Sequence, residues 1–118
     1  NEGTTWESAM MASTYGLDNL ICLMDFNKSG ERAIKLNNCE DKFKSFGWNC
    51  YTVLDGNNEK QIKDALDLSI EIKTSKPIFI QLNTIKGKGC LPMENNPEWH
   101  HKQPTTPEEL KTLLEFTV

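Results

Sequence analysis

The alternation of short apolar runs with helical patterns limits the architectures open to this chain more than any other feature. The apolar runs are LICLM at 20–24, CYTVL at 50–54 and the PIFI that begins PIFIQLNT at 77–84. The first is continuous rather than alternating, as in a parallel strand covered on both faces. Helical patterns lie around them. EGTTWESAMMASTYG sets Trp6, Ala9, Met10 and Ser13 at helical spacing and offers Gly16 as a stop. EDKFKSFGWN carries Phe43 and Phe46 on one side and stops at Gly47. NNEKQIKDALDLSIEIKTSK opens on an asparagine cap and puts Ile62, Ala65, Leu66, Ser69 and Ile70 on one face. In TPEELKTLLEF, Thr106 is the cap, Pro107 suits the first helical position, Glu109 completes a capping box, and Leu110, Leu113 and Leu114 form an apolar side. This order predicts an α/β fold, a parallel sheet with helices on both faces and right-handed crossovers. A chain of 118 residues is expected to form one core.

Composition excludes some functions. The net charge is −4 and the lysines are scattered, which argues against a nucleic-acid partner. No apolar run approaches the roughly 20 residues of a membrane span, so no membrane partner is expected. NEGTTWE lacks the basic and then apolar pattern of a signal peptide, and the expected location is cytoplasmic. Cys22, Cys39, Cys50 and Cys90 show neither a CxxC pair nor metal-ligand spacing. They are expected to be reduced and to behave as small hydrophobes.

In open α/β sheets, ligands bind beyond the carboxyl ends of the strands. Those ends here are Asp25-Phe26-Asn27, Leu54-Asp55-Gly56 and Thr84-Ile85-Lys86-Gly87. The last runs into KGKGCLPMENNPEWHHKQP, residues 86–104, whose glycines and prolines preclude a regular helix or strand. Asp25 and Asn27 could offer hard oxygens to a magnesium ion that also holds phosphate. Lys86-Gly87-Lys88-Gly89 lacks the full GxxxxGK[ST] spacing of a phosphate loop, yet a strand end with free N–H groups can contact an anion. His100 and His101 lack helical metal-site spacing and, being adjacent, are expected to point apart. On a polar loop their ordinary place is solvent, with Trp99 packing part of the loop down. Glu2 and Glu7 flank the first turn of the opening helix, where the helix dipole favours carboxylates.

Taken together, EGTTWESAMMASTYGLDNLICLMDFN, KFKSFGWN, DGNN, PIFIQLNTIKGKG and MENNPEWHHK strongly resemble the thiamine-diphosphate-binding part of transketolase. The correspondence runs in order over almost the whole chain. It is closest to the bacterial type split into amino-terminal and carboxyl-terminal subunits. GLDNL, KGKG and MENNPEWH carry the most specific matches, and MENNPEWH fits transketolase better than 1-deoxyxylulose-phosphate synthase. On layer order alone, a receiver-type or flavodoxin-like domain is the alternative, which leaves the Trp-His loop unexplained.

The resemblance implies the thiamine-diphosphate-binding fold, with residues 1–118 as the carboxyl-terminal portion of the diphosphate-binding domain, including loop 85–104 and final helix 106–116. It implies thiamine diphosphate and Mg2+ as cofactors and transfer of a two-carbon ketol unit from a ketose phosphate to an aldose phosphate. Asn27 matches the Asn that closes the metal-binding signature, and the Ser29 carbonyl falls where a further metal ligand lies. The Gly-Asp-Gly that opens the signature is absent, its register falling a few residues before Asn1. Lys86 and Gly87 would line the cofactor site, and His100 matches a histidine near the diphosphate and the reacting carbons. His101 takes a place usually held by Gly, and the stretch from Asn27 to Phe43 is several residues shorter than in most relatives. Glu2 and Glu7 match glutamates close to the subunit interface. A pyrimidine-binding subunit or domain would be the partner, in a homo-oligomer or heterotetramer, and the isolated chain is expected to be inactive. The alternative is a truncated, non-catalytic assembly module of the same family.

Overall fold

The computed structural model describes residues 2–117, apart from the side chain of Arg32. In chain order the elements are α1 (Gly3–Thr14), β1 (Ile21–Phe26), α2 (Cys39–Ser45), β2 (Asn49–Val53), α3 (Glu59–Glu71), β3 (Ile78–Asn83) and α4 (Pro107–Glu115). Short 3-10 turns occupy Ser29–Arg32 and Pro97–His100.

Side-chain caps start three of the helices by accepting a backbone N–H that has no partner within the helix. Asn38 Oδ1 accepts from Asp41 N at 3.1 Å, and Asn58 Oδ1 from Gln61 N at 3.2 Å. Thr106 Oγ1 accepts from Glu109 N at 3.1 Å. The Glu109 carboxylate reaches one residue further back than a capping box requires, to Thr105 N at 2.8 Å. Helix α3 ends at Glu71, short of the predicted Lys76, because the chain must turn into β3. Ile72 is already extended, and Thr74 Oγ1 accepts from Lys76 N at 3.2 Å and from Asn49 Nδ2 at 2.7 Å.

The sheet has the order β1-β3-β2 and both pairings are parallel, so β3 is central. Alternate β3 residues face opposite sides. Phe79 packs with Cys22, Met24 and Cys50 under Ala9, Ala12, Cys39, Phe43 and Trp48, on the side of α1 and α2. Ile78 and Ile80 pack with Val53, Ala65 and Leu66 on the side of α3. The predicted two-sided α/β layer is therefore present. Phe43 is the hub of its side, stacked 3.9 Å from Phe79 and edge-on to Trp48 at 5.2 Å. The Trp48 indole donates to Ala9 O at 2.8 Å, which ties α1 to the entry of β2.

Three expectations are corrected. Strand β1 is not covered on both faces among the described residues: it is an edge, α3 packs on β2 and β3, and Leu23 is left 48% exposed. Ile70 is 74% exposed because it sits in the last turn of α3 and makes no part of the core beneath that helix. On α4 only Leu113 is buried, while Leu110 and Leu114 are exposed. The buried contact of α4 is with the loop that follows β3. Cys90 forms an isolated antiparallel bridge with Thr117, and its thiol donates to Leu113 O at 3.6 Å.

Candidate functional site

The register places Asp25 opposite Leu82 and Phe26 opposite Asn83, so the carboxyl ends of β1 and β3 lie side by side. Side chains then lash the three strand ends together. Thr84 Oγ1 donates to Asp25 Oδ1, joining β1 to β3. Asn57, just after β2, accepts from Ile85 N at 2.7 Å, and Gly56 N donates to Asn83 O at 2.8 Å. Gly56 is required at this approach, since a Cβ there would lie 2.8 Å from Thr84 Cγ2 and 2.9 Å from the Leu82 carbonyl carbon.

Beyond β1 the chain folds back on itself. Asn27 Nδ2 donates to Asp25 Oδ2 at 2.9 Å, and Asn27 Oδ1 accepts from Ser29 N at 2.9 Å. This Asx turn holds Lys28 in the left-handed region at φ 63°. Beyond β3, Lys86 O accepts from Asn95 N at 2.9 Å, pinning the two ends of an inner loop. Gly87 within it has φ 74°. The two turns enclose a cleft of about 130 Å3 lined by Asn27, Lys28, Ser29, Lys86, Asn95 and Pro97. Three predicted residues, Asn27, Ser29 and Lys86, thus meet in one place.

The others lie apart from that lining. Gly87 is next to it in sequence. His100 ends the 3-10 turn Pro97–His100 and is exposed. The histidines do not point apart as expected. His101 has φ −130° and ψ 3°, and the two rings meet edge-on at 4.3 Å. Glu2 is the N-cap residue of α1 without a side-chain capping bond, and Glu7 is exposed on that helix. Lys28, Asn95, Asn57 and Thr84 were not singled out from sequence. Thr84 lay in a predicted strand end, and Asn95, in the Asn-Asn-Pro turn, carried a local hint.

Trp99 is half-buried as expected, beneath the Lys102 ammonium 4.3 Å from its ring centroid. Lys102 also pairs with Glu109 at the start of α4, so the Trp-His turn is tethered to that helix. The bond from Lys102, then that from Thr105 N, holds the Glu109 carboxyl below its ordinary pKa. A lowered carboxylate pKa stabilises above the unfolded value and is lost as pH falls through the folded one. Glu109→Gln is therefore expected to lower the thermal midpoint at neutral pH, with the difference from wild type vanishing below the ordinary glutamate range near pH ~4.3. Paired melting curves across that range check it.

The four cysteines are free. Burial raises the pKa of Cys22 and Cys39, and burial followed by nearby Glu40 pushes Cys50 up to about 11. These thiols are neutral packing groups rather than nucleophiles. Among the described residues no cluster of three His, Cys, Asp or Glu side chains could hold a metal ion, and no helix is long and apolar enough to cross a membrane.

Residues 1–116 match the family model described as transketolase, thiamine diphosphate binding domain. The chain belongs to this transketolase family. It is 36% identical over 107 residues to transketolase-like protein 2 of Bos taurus, covering 86% of this chain and 17% of that protein. It is 35% identical over 123 residues to one of the subunits of the apulose-4-phosphate transketolase of Phocaeicola vulgatus, covering 98% of this chain and 42% of that relative. The fold superposes on the transketolase of Campylobacter jejuni with a TM-score of 0.79 at 25% identity, covering 97% of this chain and 18% of that one. For the Pichia stipitis transketolase solved with sedoheptulose-7-phosphate, the TM-score is 0.76 at 29% identity, with coverage of 98% and 18%. This transketolase-family chain therefore spans less than half the length of these relatives.

Proposed function

We propose that the chain holds the diphosphate end of thiamine diphosphate, with Mg2+, in a transketolase that moves a two-carbon ketol unit between sugar phosphates. The observation that carries this reading is the cleft where Asn27, Ser29 and Lys86 meet at the ends of β1 and β3. An amide oxygen and the Ser29 carbonyl are hard neutral donors of the kind magnesium accepts, and Lys28 and Lys86 offset diphosphate charge. The donors fit part of a magnesium–diphosphate site.

When bound, thiamine diphosphate supplies the carbon nucleophile that carries the two-carbon unit. The chain anchors and orients it. Gly87 would let the β3 end approach closely, and His100, on the loop that follows, would help with proton movement or with phosphate polarity. Glu2 and Glu7 lie at the contact with the second half of the assembly. A pyrimidine-binding subunit or domain completes the site. Two relatives support this division of labour by their names, which make each of them one subunit of a larger enzyme: an apulose-4-phosphate transketolase and a 6-deoxy-6-sulfo-D-fructose transketolase.

The test is calorimetric titration of thiamine diphosphate, with and without MgCl2, into the complex of this protein with a pyrimidine-binding partner, followed by a ketol-transfer assay. Magnesium-dependent binding and turnover by the complex, with none by the chain alone, is the expected result. Asn27→Ala should weaken cofactor binding at least tenfold, on the order of one lost charge-assisted contact. A complex that assembles but binds no cofactor overturns the reading in favour of an assembly module.

A further inference from the structure

The Asn27 amide is held so that it cannot turn over. Its nitrogen donates to Asp25 Oδ2 at 2.9 Å and its oxygen accepts from Ser29 N at 2.9 Å. Reversing the amide would set an NH2 against the Ser29 N–H and an oxygen against the Asp25 carboxylate, two repulsive contacts in place of two bonds. The second oxygen of Asp25 accepts from Thr84 Oγ1, a residue 59 positions away on the neighbouring strand end. Both Asp25 oxygens are thus engaged in holding protein groups.

Asp25 is also absent from the lining of the 130 Å3 cleft that contains Asn27, Ser29 and Lys86. It borders a separate hollow of about 230 Å3 with Phe26, Gly30, Glu31 and Leu36, and Asn27 lines both. The aspartate stands behind the asparagine rather than beside it. That arrangement differs from the sequence reading, in which Asp25 and Asn27 were both candidate ligands.

Resting on the proposed cofactor site, we infer that Asp25 and Thr84 are a positioning pair that fixes the Asn27 amide with its oxygen presented to the magnesium–diphosphate group. The carboxylate, together with the Ser29 N–H, decides which end of the amide faces the ligand. Thr84 decides where the carboxylate sits, and it can do so only when β1 and β3 are paired. Outer partners of this kind change metal affinity about 10–100-fold when removed.

The experiment measures magnesium affinity by calorimetry at fixed thiamine diphosphate, together with the ligand-free melting temperature, in the assembled complex. Asp25→Asn keeps the shape but offers a donor and an acceptor, so only the Ser29 N–H still opposes reversal of the Asn27 amide and its hold is weakened. The dissociation constant for Mg2+ is expected to rise about tenfold. Thr84→Val should raise it about threefold, and Thr84→Ser, which keeps the hydroxyl, should restore it. Wild-type magnesium affinity in Asp25→Asn and Thr84→Val, whatever their melting temperatures, would reduce the pair to a strand-end brace and overturn the inference. If Asp25→Asn does not fold, the contrast between Thr84→Val and Thr84→Ser decides. If the wild-type complex binds no magnesium and cofactor, the underlying functional reading fails. If it binds them and the variants bind equally well, only the positioning role fails.

Discussion

Gly87→Ala is expected to weaken thiamine diphosphate binding by more than tenfold while leaving most of the sheet intact. Two effects combine at this position. Its φ of 74° is a left-handed conformation, which costs an L-residue with a Cβ roughly 1–2 kcal/mol. The new Cβ would also lie 2.5 Å from Met93 O and 2.7 Å from the Met93 carbonyl carbon. These are backbone atoms, so relief requires the whole inner loop to shift. That loop is pinned by Lys86 O to Asn95 N and by Gly87 O to Cys90 N, and both Lys86 and Asn95 line the cleft. Calorimetry would read the affinity, and amide hydrogen exchange over residues 86–96 should show faster exchange there than in β3. Wild-type affinity in the variant would mean that this loop does not form the cofactor wall.

Phe43→Ala is expected to have the largest effect on stability, about 3–5 kcal/mol by the usual cost of deleting a buried aromatic side chain. Phe43 is 3% exposed and touches the rings of Trp6, Phe46, Trp48 and Phe79. Phe79 is fixed on the central strand and Trp48 by its bond to Ala9 O, so only the partly buried Met24 and Leu36 at the margin of the cluster could move toward the gap. With domain stabilities of about 5–15 kcal/mol, such a loss leaves a small α/β unit close to unfolding. Urea titration followed by circular dichroism would measure it. A loss below about 1 kcal/mol would show that this cluster collapses around the gap, against the close packing described.

How far the chain could be read from its residues depends on the range over which each feature is determined. Asn58 and Thr106 were recognisable as caps because a cap bonds an N–H three residues on. The opening helix, the strands and the final helix were legible for the same local reason. The reach of α3 was overestimated, because Thr74 is recruited by Asn49 of another element. The apolar run of β1 reads as a strand covered on both faces, yet Leu23 is left open in the described residues. Hydrophobicity records the burial a segment can accept, not which element supplies it.

Asn27 and Lys86 were legible as strand-end groups, Ser29 only through the family resemblance, and their meeting in one cleft follows from the fold. By itself the sequence determined the alternation of helices and strands, the caps, and the irregular loop after the last strand, because period, capping and turn chemistry act between near neighbours. Tertiary structure alone decided that β3 lies between β1 and β2, that Thr84 meets Asp25, and that Asn57 meets Ile85. Those pairs join residues 59 and 28 positions apart, and no local preference encodes them. They form only when burial of Phe79 on one face and of Ile78 and Ile80 on the other brings the strand ends into register.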